Sequence, residues 1–579
     1  MLATHKTHAA RRWVTDLISL TFLLSAFYLI WLGSHPLFTP DEGRYCEVAR
    51  EMILTQDYIT PRLNGVAFLD KPILYYWLQV SAIKVFGLKE WALRFWPAVM
   101  GILGGVSTYI AGRILFNRRT GILAAVILAT NPLYYGAAHY ANLDLEVAVL
   151  ISNTLLFSII ALQSTRPRQR TVFLFLAYIF AALAALTKGL IGLAFPTLII
   201  GAWIIILNHW RILGKMRLGS GALIFTCITA PWYFLAQHAN PQFFHFFFAT
   251  QQVARFLTTA DFNNPSVVWF YVPVVLAGFL PWSLLLFQAF TQQLKSIWHE
   301  RKQHQTEVFL LLWCVIIFIF FSIPKSKTVG YILPIFPALA LIVGNYLSIY
   351  WDKPKTKGIL IAIISFFVLC VVIIASCLIV PHVKAIEIVP SMNFYLNVTA
   401  LLFGFSGMMA SYLLYKNHLP KLFYCFVFVA FSFLLTLLAS ASAINQKTIK
   451  PLALQLRPFL TAQDEIVTFY RYYQDLPIYL ERCITIVADW NAADIPHNDN
   501  WLRELWFGMP FQNTTAWLIQ EPVFWQRWHS NRRLFVFMNA HDYENFNKKA
   551  HYKAYKLSEH NDVALIANHQ THIFAQEYT

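Results

Sequence analysis

Apolar runs of roughly 17–25 residues recur from the amino terminus to about residue 442, and that is the length an α-helix needs to cross the hydrocarbon core of a bilayer. Inside lipid the backbone finds no water. A spanning segment must therefore satisfy its own N–H and C=O groups, which a helix does internally. A β-barrel would instead require short strands of alternating polarity, and the apolar region does not alternate. Composition agrees: 58% of the 579 residues are hydrophobic and 13% are charged, about half the charged share of an ordinary soluble domain.

Thirteen blocks read as spans: 13–33, 91–112, 120–138, 143–162, 171–187, 190–208, 218–236, 266–290, 307–323, 329–350, 358–381, 395–415 and 422–442. The first is too long for a secretory signal core and lacks a small-residue cleavage site, so it reads as an anchor. Every second connecting segment carries cations, including Arg11 and Arg12, Arg118 and Arg119, Arg166, Arg168 and Arg170, Lys215 and Arg217, and Lys353, Lys355 and Lys357. Cation-rich loops stay in the cytoplasm. That places the amino terminus inside and the carboxyl terminus on the opposite face, which in a bacterial inner membrane is the periplasmic one. The expected organisation is a membrane domain over 1–442, whose first periplasmic loop is 34–90, followed by a polar domain over 443–579. Strand-like runs at Glu465–Tyr470 and Arg533–Met538, with a helix-like stretch at Ile519–Trp528, predict a small α/β fold for that tail.

The net charge of +16 is explained by these topogenic loops. No basic-aromatic platform for nucleic acid appears, and no nucleic-acid partner is expected. Five of the seven cysteines lie in apolar blocks, while Cys46 and Cys483 stand alone, which is neither a disulfide framework nor a zinc pattern. No metal centre or other cofactor is required by the spacing. His139, His238 and His245 fall on the periplasmic side and leave a divalent metal possible, although interfacial hydrogen bonding is the commoner use of such residues.

Ionisable residues gather on that same side. The first loop contains Asp41, Glu42, Arg44, Glu47, Arg50 and Glu51, and then Asp70 and Lys71 before an aromatic run Tyr75-Tyr76-Trp77. Asp144 and Glu146 start the fourth span, Lys188 lies between the fifth and sixth, Arg255 follows the seventh, and Lys325, Lys327 and Tyr331 adjoin the tenth. Snorkelling to the interface explains any one of them. It does not explain carboxylates and cations together at one level, because ionisable groups at membrane depth are costly. Cations suit a lipid phosphate leaving group, and a carboxylate suits placing or deprotonating a nucleophile. Activated nucleotides are absent outside the cytoplasm and no Walker-type loop is present. A sugar carried on a polyprenyl phosphate is then the expected donor.

The run Pro40-Asp41-Glu42-Gly43-Arg44-Tyr45, with Glu47 and Ala49-Arg50-Glu51-Met52, resembles the first outer loop of the protein O-mannosyltransferase superfamily, closest to the bacterial branch of lipid A aminoarabinose transferases. Lys71-Pro72 with Tyr75-Tyr76-Trp77, Leu186-Thr187-Lys188-Gly189 and Tyr331-Ile332-Leu333-Pro334 are similar to further signatures of that branch. Cys46 departs from it, standing where a small residue is usual. The resemblance implies a GT-C fold and inverting transfer from an undecaprenyl-phosphate sugar. It implies Asp41 as the catalytic carboxylate, Glu42 completing an acidic pair and Asp144 as a second acidic residue. It implies Lys71, Arg255 and Tyr331 as lipid-phosphate binders, with Lys188 and Arg44 in the same substrate-binding set. The acceptor it implies is lipid A phosphate, a lipopolysaccharide modification that favours resistance to cationic peptides and polymyxin. Protein or another envelope glycan is the alternative acceptor. A transporter of lipid-linked saccharides would show inverted repeats or broken helices at the midplane, and the sequence has no internal repeat.

Overall fold

The computed structural model describes residues 2–254, 266–352, 357–383, 389–416, 419–498, 500–551 and 553–570. Two compact units emerge. Among the described residues, nine helices are long and apolar enough to cross a membrane. Two bent helix pairs, Arg118–Ala129 with Pro132–Ala138 and Val268–Gly278 with Ser283–Thr291, and two shorter apolar helices, Ile191–Leu207 and Phe423–Ala439, fill the remaining places. In order along the chain these correspond to the thirteen blocks, and the protein is a multi-pass membrane protein.

The first unit comprises Met1–Ser34, Arg94–Pro231 and Pro265–Ile444 and is helical. At its centre runs Leu143–Gln163, predominantly apolar and enclosed by protein along nearly its whole length, as expected of a helix without a distinct polar face. Small residues let its neighbours approach backbone to backbone, the usual device where lipid removes the hydrophobic drive. A Cβ on Gly112 would lie 2.8 Å from Gly121 Cα, and one on Gly344 would lie 2.9 Å from Ala124 N, so Arg118–Ala129 is clasped from two sides. The third block is not one continuous helix. It bends by 67° after Ala129, because Asn131 accepts from Tyr134 N at 3.1 Å and Pro132 opens a new helix there.

The second unit comprises His35–Leu93, Trp232–Asn264 and Asn445–Thr579. Its three segments fold together, so an even number of spans must separate each from the next. Six of the assigned spans fall in each interval. Helix Asp41–Thr55 is buried over most of its length and ends at Gln56 in the left-handed region. A two-stranded ribbon follows, β1 (Arg62–Leu63) and β2 (Val66–Ala67), turned by Asn64 and Gly65, both at positive φ. Asn-Gly is the pair that such a hairpin turn favours.

The tail forms a six-stranded sheet in the order β5–β4–β3–β6–β8–β7. Here β3 is Glu465–Phe469, β4 Thr485–Val487, β5 Leu518–Ile519, β6 Leu534–Asn539, β7 Tyr555–His560 and β8 Val563–Ala567. The first four run parallel, while β8 is antiparallel to β6 and β7 to β8. Central β6 is apolar at five consecutive buried positions, the mark of a strand covered on both faces. Val467, Val536, Phe524, Trp528 and Phe546 form the core on one of them.

The first loop is stapled to this tail by hydrogen bonds that are mostly buried. Leu37 N donates to Tyr479 Oη at 3.0 Å, and Asn445 Nδ2 donates to Pro36 O at 3.1 Å and Leu37 O at 3.0 Å. Asn64 and Ile484 exchange reciprocal bonds of 2.9 Å. Gly43 is required where the helix meets the tail: a Cβ there would stand 2.7 Å from the Asp475 N and Gln474 C atoms.

Candidate functional site

In the second unit, Asp41 and Glu42 occupy the first turn of helix Asp41–Thr55, where the unsatisfied N–H groups favour negative charge. Their side chains diverge. Glu42 is fully buried, and its Oε2 accepts from Phe38 N at 2.7 Å, so it fastens the chain entering the helix. Asp41 keeps 30% of its side chain exposed and is ion-paired with Arg44 one turn on. Arg44 also ion-pairs Glu504 and lies over the Tyr45 ring at 5.0 Å. Burial alone would lower its pKa. Glu504, Tyr45, Asp41 and Asp70 outweigh burial and raise it well above the usual value, so the guanidinium is a fixed positive centre among acids. Glu504 is presented by helix Trp501–Trp506, which Asn500 caps by accepting from Leu502 N and Arg503 N.

Lys71 Nζ donates to the carbonyl of Asp70 at 3.3 Å. The Asp70 carboxylate accepts from Gln251 Nε2 at 3.2 Å, and Gln251 is carried by the π-helical segment His245–Ala254. Arg255, immediately beyond, lies outside the described residues. Tyr45, Tyr75 and Tyr76 form a buried ring cluster beside this group, with centroids 5.8–6.3 Å apart.

Further along the same helix, burial and then the neighbouring Glu47 push the Glu51 carboxyl up to about 8. Burial likewise raises Asp475, to about 7, against the bonds it receives from Ile449 N and Thr448.

In the first unit a separate set comes together. Asp144 follows the Asn142 cap of the central helix and ion-pairs Lys188, the last residue of helix Pro167–Lys188. Lys188 Nζ also stands over the Tyr331 ring, 4.1 Å from its centroid. Tyr331 is held by the 3₁₀ turn Val329–Ile335, where Gly330 is needed because a Cβ would collide with the Asp144 carboxylate. Two residues on from Asp144, Glu146 accepts from Thr187 Oγ1 at 3.2 Å. Thus three residues picked from separate stretches of sequence, Asp144, Lys188 and Tyr331, are direct neighbours. Lys327 is not with them. It donates to the Ser266 and Pro324 carbonyls at 3.1 and 2.5 Å. His139 Nδ1 donates to the Tyr135 carbonyl, 3.0 Å away, and His238 and His245 are exposed.

Residues 70–234 match the family described as dolichyl-phosphate-mannose-protein mannosyltransferase. The crystal structure of ArnT from Cupriavidus metallidurans bound to undecaprenyl phosphate superposes with a TM-score of 0.83 at 25% identity, covering 97% of this chain and 99% of that one. The fold is that of the GT-C glycosyltransferases. It is also similar to the undecaprenyl phosphate-α-4-amino-4-deoxy-L-arabinose arabinosyl transferases of Erwinia tasmaniensis, 33% identical over 334 residues, and, as the second such enzyme of its organism, of Proteus mirabilis, 31% identical over 334 residues. These matches cover 57% of this chain and 58% of each relative, so the sequence likeness spans less than two thirds of their length.

Within this GT-C fold, sequence reasoning missed the roles of Glu504, Asp70 and Gln251. Glu504 sits in an unremarked polar tail, and only the fold brings it to Arg44. Asp70 adjoins Lys71 and could have been weighed with it as a charged pair at the start of an aromatic run.

Proposed function

We propose that this protein transfers 4-amino-4-deoxy-L-arabinose from undecaprenyl phosphate to a phosphate of lipid A, at the periplasmic face of the bacterial inner membrane. The observation that carries this reading is the likeness to ArnT over nearly the whole of both chains, since that structure holds undecaprenyl phosphate. The names of the sequence relatives supply the sugar. The alternating cation-rich loops support an amino terminus in the cytoplasm. We assign residues 1–442 to the membrane catalytic domain, with 34–90 as its first periplasmic loop, and 443–579 to a periplasmic α/β domain.

In such a transfer the bond between the sugar C1 and the carrier phosphate oxygen breaks, and a lipid A phosphate oxygen bonds C1 from the opposite side. The carrier leaves as a phosphate monoester with one more negative charge than it had as a diester. Lys71, Arg255, Lys188, Arg44 and the Tyr331 hydroxyl are the groups assigned to that charge, through charge-assisted hydrogen bonds. The acceptor is already an anion and gives up no proton. Asp41, with Asp144 as a second acidic residue, is then assigned to placing the acceptor and offsetting the positive charge that develops on the sugar ring, as carboxylates do in glycoside hydrolysis. Glu42 holds the turn that carries Asp41.

The family description, which concerns mannose transfer to protein, favours one second reading, a hydroxyl acceptor that Asp41 would deprotonate. Mass spectrometry of lipid A from cells with the gene, without it, and with Asp41→Asn separates the two. An aminopentose mass on lipid A phosphate, present only with the intact gene, is the expected result. Unmodified lipid A under inducing conditions would move the acceptor to protein or another glycan.

A further inference from the structure

Helix Asp41–Thr55 carries a second ionisable cluster that transfer chemistry does not use. Glu47 and Glu51, four residues apart on one helix face, are 0% and 1% exposed. Cys483, a residue still reached by solvent just after the short helix Leu476–Leu480, brings its thiol to them, with Sγ 3.4 Å from Glu51 Oε1. One ligand atom from each of the three lies within 4.8 Å of the others, and among the described residues this is the one such group.

The bonding around it is incomplete on one side. Arg50 grips both oxygens of Glu47, Nε at 2.7 Å and Nη2 at 2.6 Å. Gly65 N donates to Glu51 Oε1 at 2.6 Å. Buried Glu51 Oε2 receives no N–H or hydroxyl donor, its carboxyl having only a proton to share with Glu47, and the buried Tyr472 hydroxyl has no hydrogen-bond partner. A buried polar atom left unpaired costs about 1–3 kcal/mol, and more when charged.

We propose that Glu47, Glu51 and Cys483 bind a divalent metal ion of the zinc type. Charge fits: Arg50 neutralises Glu47, and the Glu51 carboxylate and a Cys483 thiolate balance a dication. Ligand chemistry fits as well. Calcium and magnesium take oxygen alone, whereas a thiolate with carboxylates suits zinc. The Arg50 fork uses one lone pair of each Glu47 oxygen and leaves the other for metal, while fixing the carboxylate as an outer-shell partner does. Metal–ligand distances of about 2.0–2.3 Å require the cluster to close by roughly 1 Å. A water would complete the four-coordinate set. The exposed side of Cys483 is the entry path, and the ion ties the first loop to the start of β4.

The test uses the full-length protein in detergent, stripped with chelator, given Zn²⁺ and desalted. About one zinc per chain is expected in the parent, falling at least tenfold in Glu51→Gln and Cys483→Ala. No retained zinc in the parent, which a buried water in place of metal would give, overturns the proposal. So does equal retention by both variants. Should those variants not fold, alkylation of Cys483 in the parent, followed by peptide mass, decides. Zn²⁺ is expected to slow it at least tenfold and Mg²⁺ to leave it unchanged, and an alkylation rate indifferent to Zn²⁺ overturns the assignment.

Discussion

Arg44 and Glu504 are 460 positions apart in sequence and ion-paired in the structure. Because Arg44 also holds Asp41, the orientation of Asp41 depends on a residue of the tail. Glu504→Gln keeps the shape and removes the charge. It is expected to lower transfer on the order of tenfold, with membrane insertion unchanged. Arg44→Lys should do the same, since an ammonium cannot fork between two carboxylates. A double-mutant cycle with Asp41→Asn is the check on positioning: the two losses should be strongly non-additive. Independent, additive effects would remove Glu504 from this role.

Asp41→Asn is expected to reduce transfer by about 10²–10⁴-fold, the usual range for a positioned acid–base group. Its partial exposure means the fold should persist. Activity assayed beside thermal unfolding in detergent distinguishes loss of chemistry from loss of structure.

Lys71→Ala should raise the lipid-donor concentration needed for half-maximal rate while affecting the maximal rate less, the pattern of lost ground-state binding. An initial-rate series in donor reads this directly. Unchanged donor dependence would take Lys71 out of the phosphate-binding set.

The Asp144–Lys188 pair leaves each side chain only 13% exposed. Removing one partner of a buried pair costs about 3–5 kcal/mol, because the other charge is stranded. Lys188→Met should therefore lower the melting temperature, and Asp144→Asn added to it should recover much of the loss without restoring activity. Melting curves of the two variants against the parent make the comparison.

Asp475 is fully buried, and its carboxyl is pushed up to about 7, against about 3.9 in an unfolded chain. Between those values the folded state holds a proton that the unfolded state has released, so stability falls as pH rises from about 4 to about 7 and then levels off. The full effect is at most a few kcal/mol. Asp475→Asn should flatten this dependence, measured as the midpoint of tryptophan-monitored unfolding between pH 5 and 8. A variant with the same pH slope as the parent would assign the slope to other groups.

The spans were legible because length and apolarity are imposed by lipid, and β3, β6 and helix Glu521–Trp528 because their patterns are local. The bend at Asn131 was written as Asn-Pro inside an apolar run, and the run hid it. Asp144, Lys188 and Tyr331 could be picked out singly as ionisable or aromatic groups at one membrane level. Glu504 could not: nothing local distinguishes it from other tail carboxylates, and its role arises from a contact closed over most of the chain. Glu42, read with Asp41 as one acidic pair, is turned away by a backbone bond at Phe38 that no sequence spacing announces.

The interleaving of the first loop with the tail also sets a timetable. At synthesis rates of about 5–20 residues per second, Arg44 exists for roughly 20–90 seconds before Glu504 is made. Throughout that interval the face of the first loop that will meet the tail, Leu37 at Tyr479, Gly43 at Asp475 and Asn64 at Ile484, stands uncovered while the intervening spans are inserted. A chain ended prematurely after residue 442 would carry every span and still leave that face open to proteases, so truncated products should be cleared rather than accumulate as a partly active membrane enzyme.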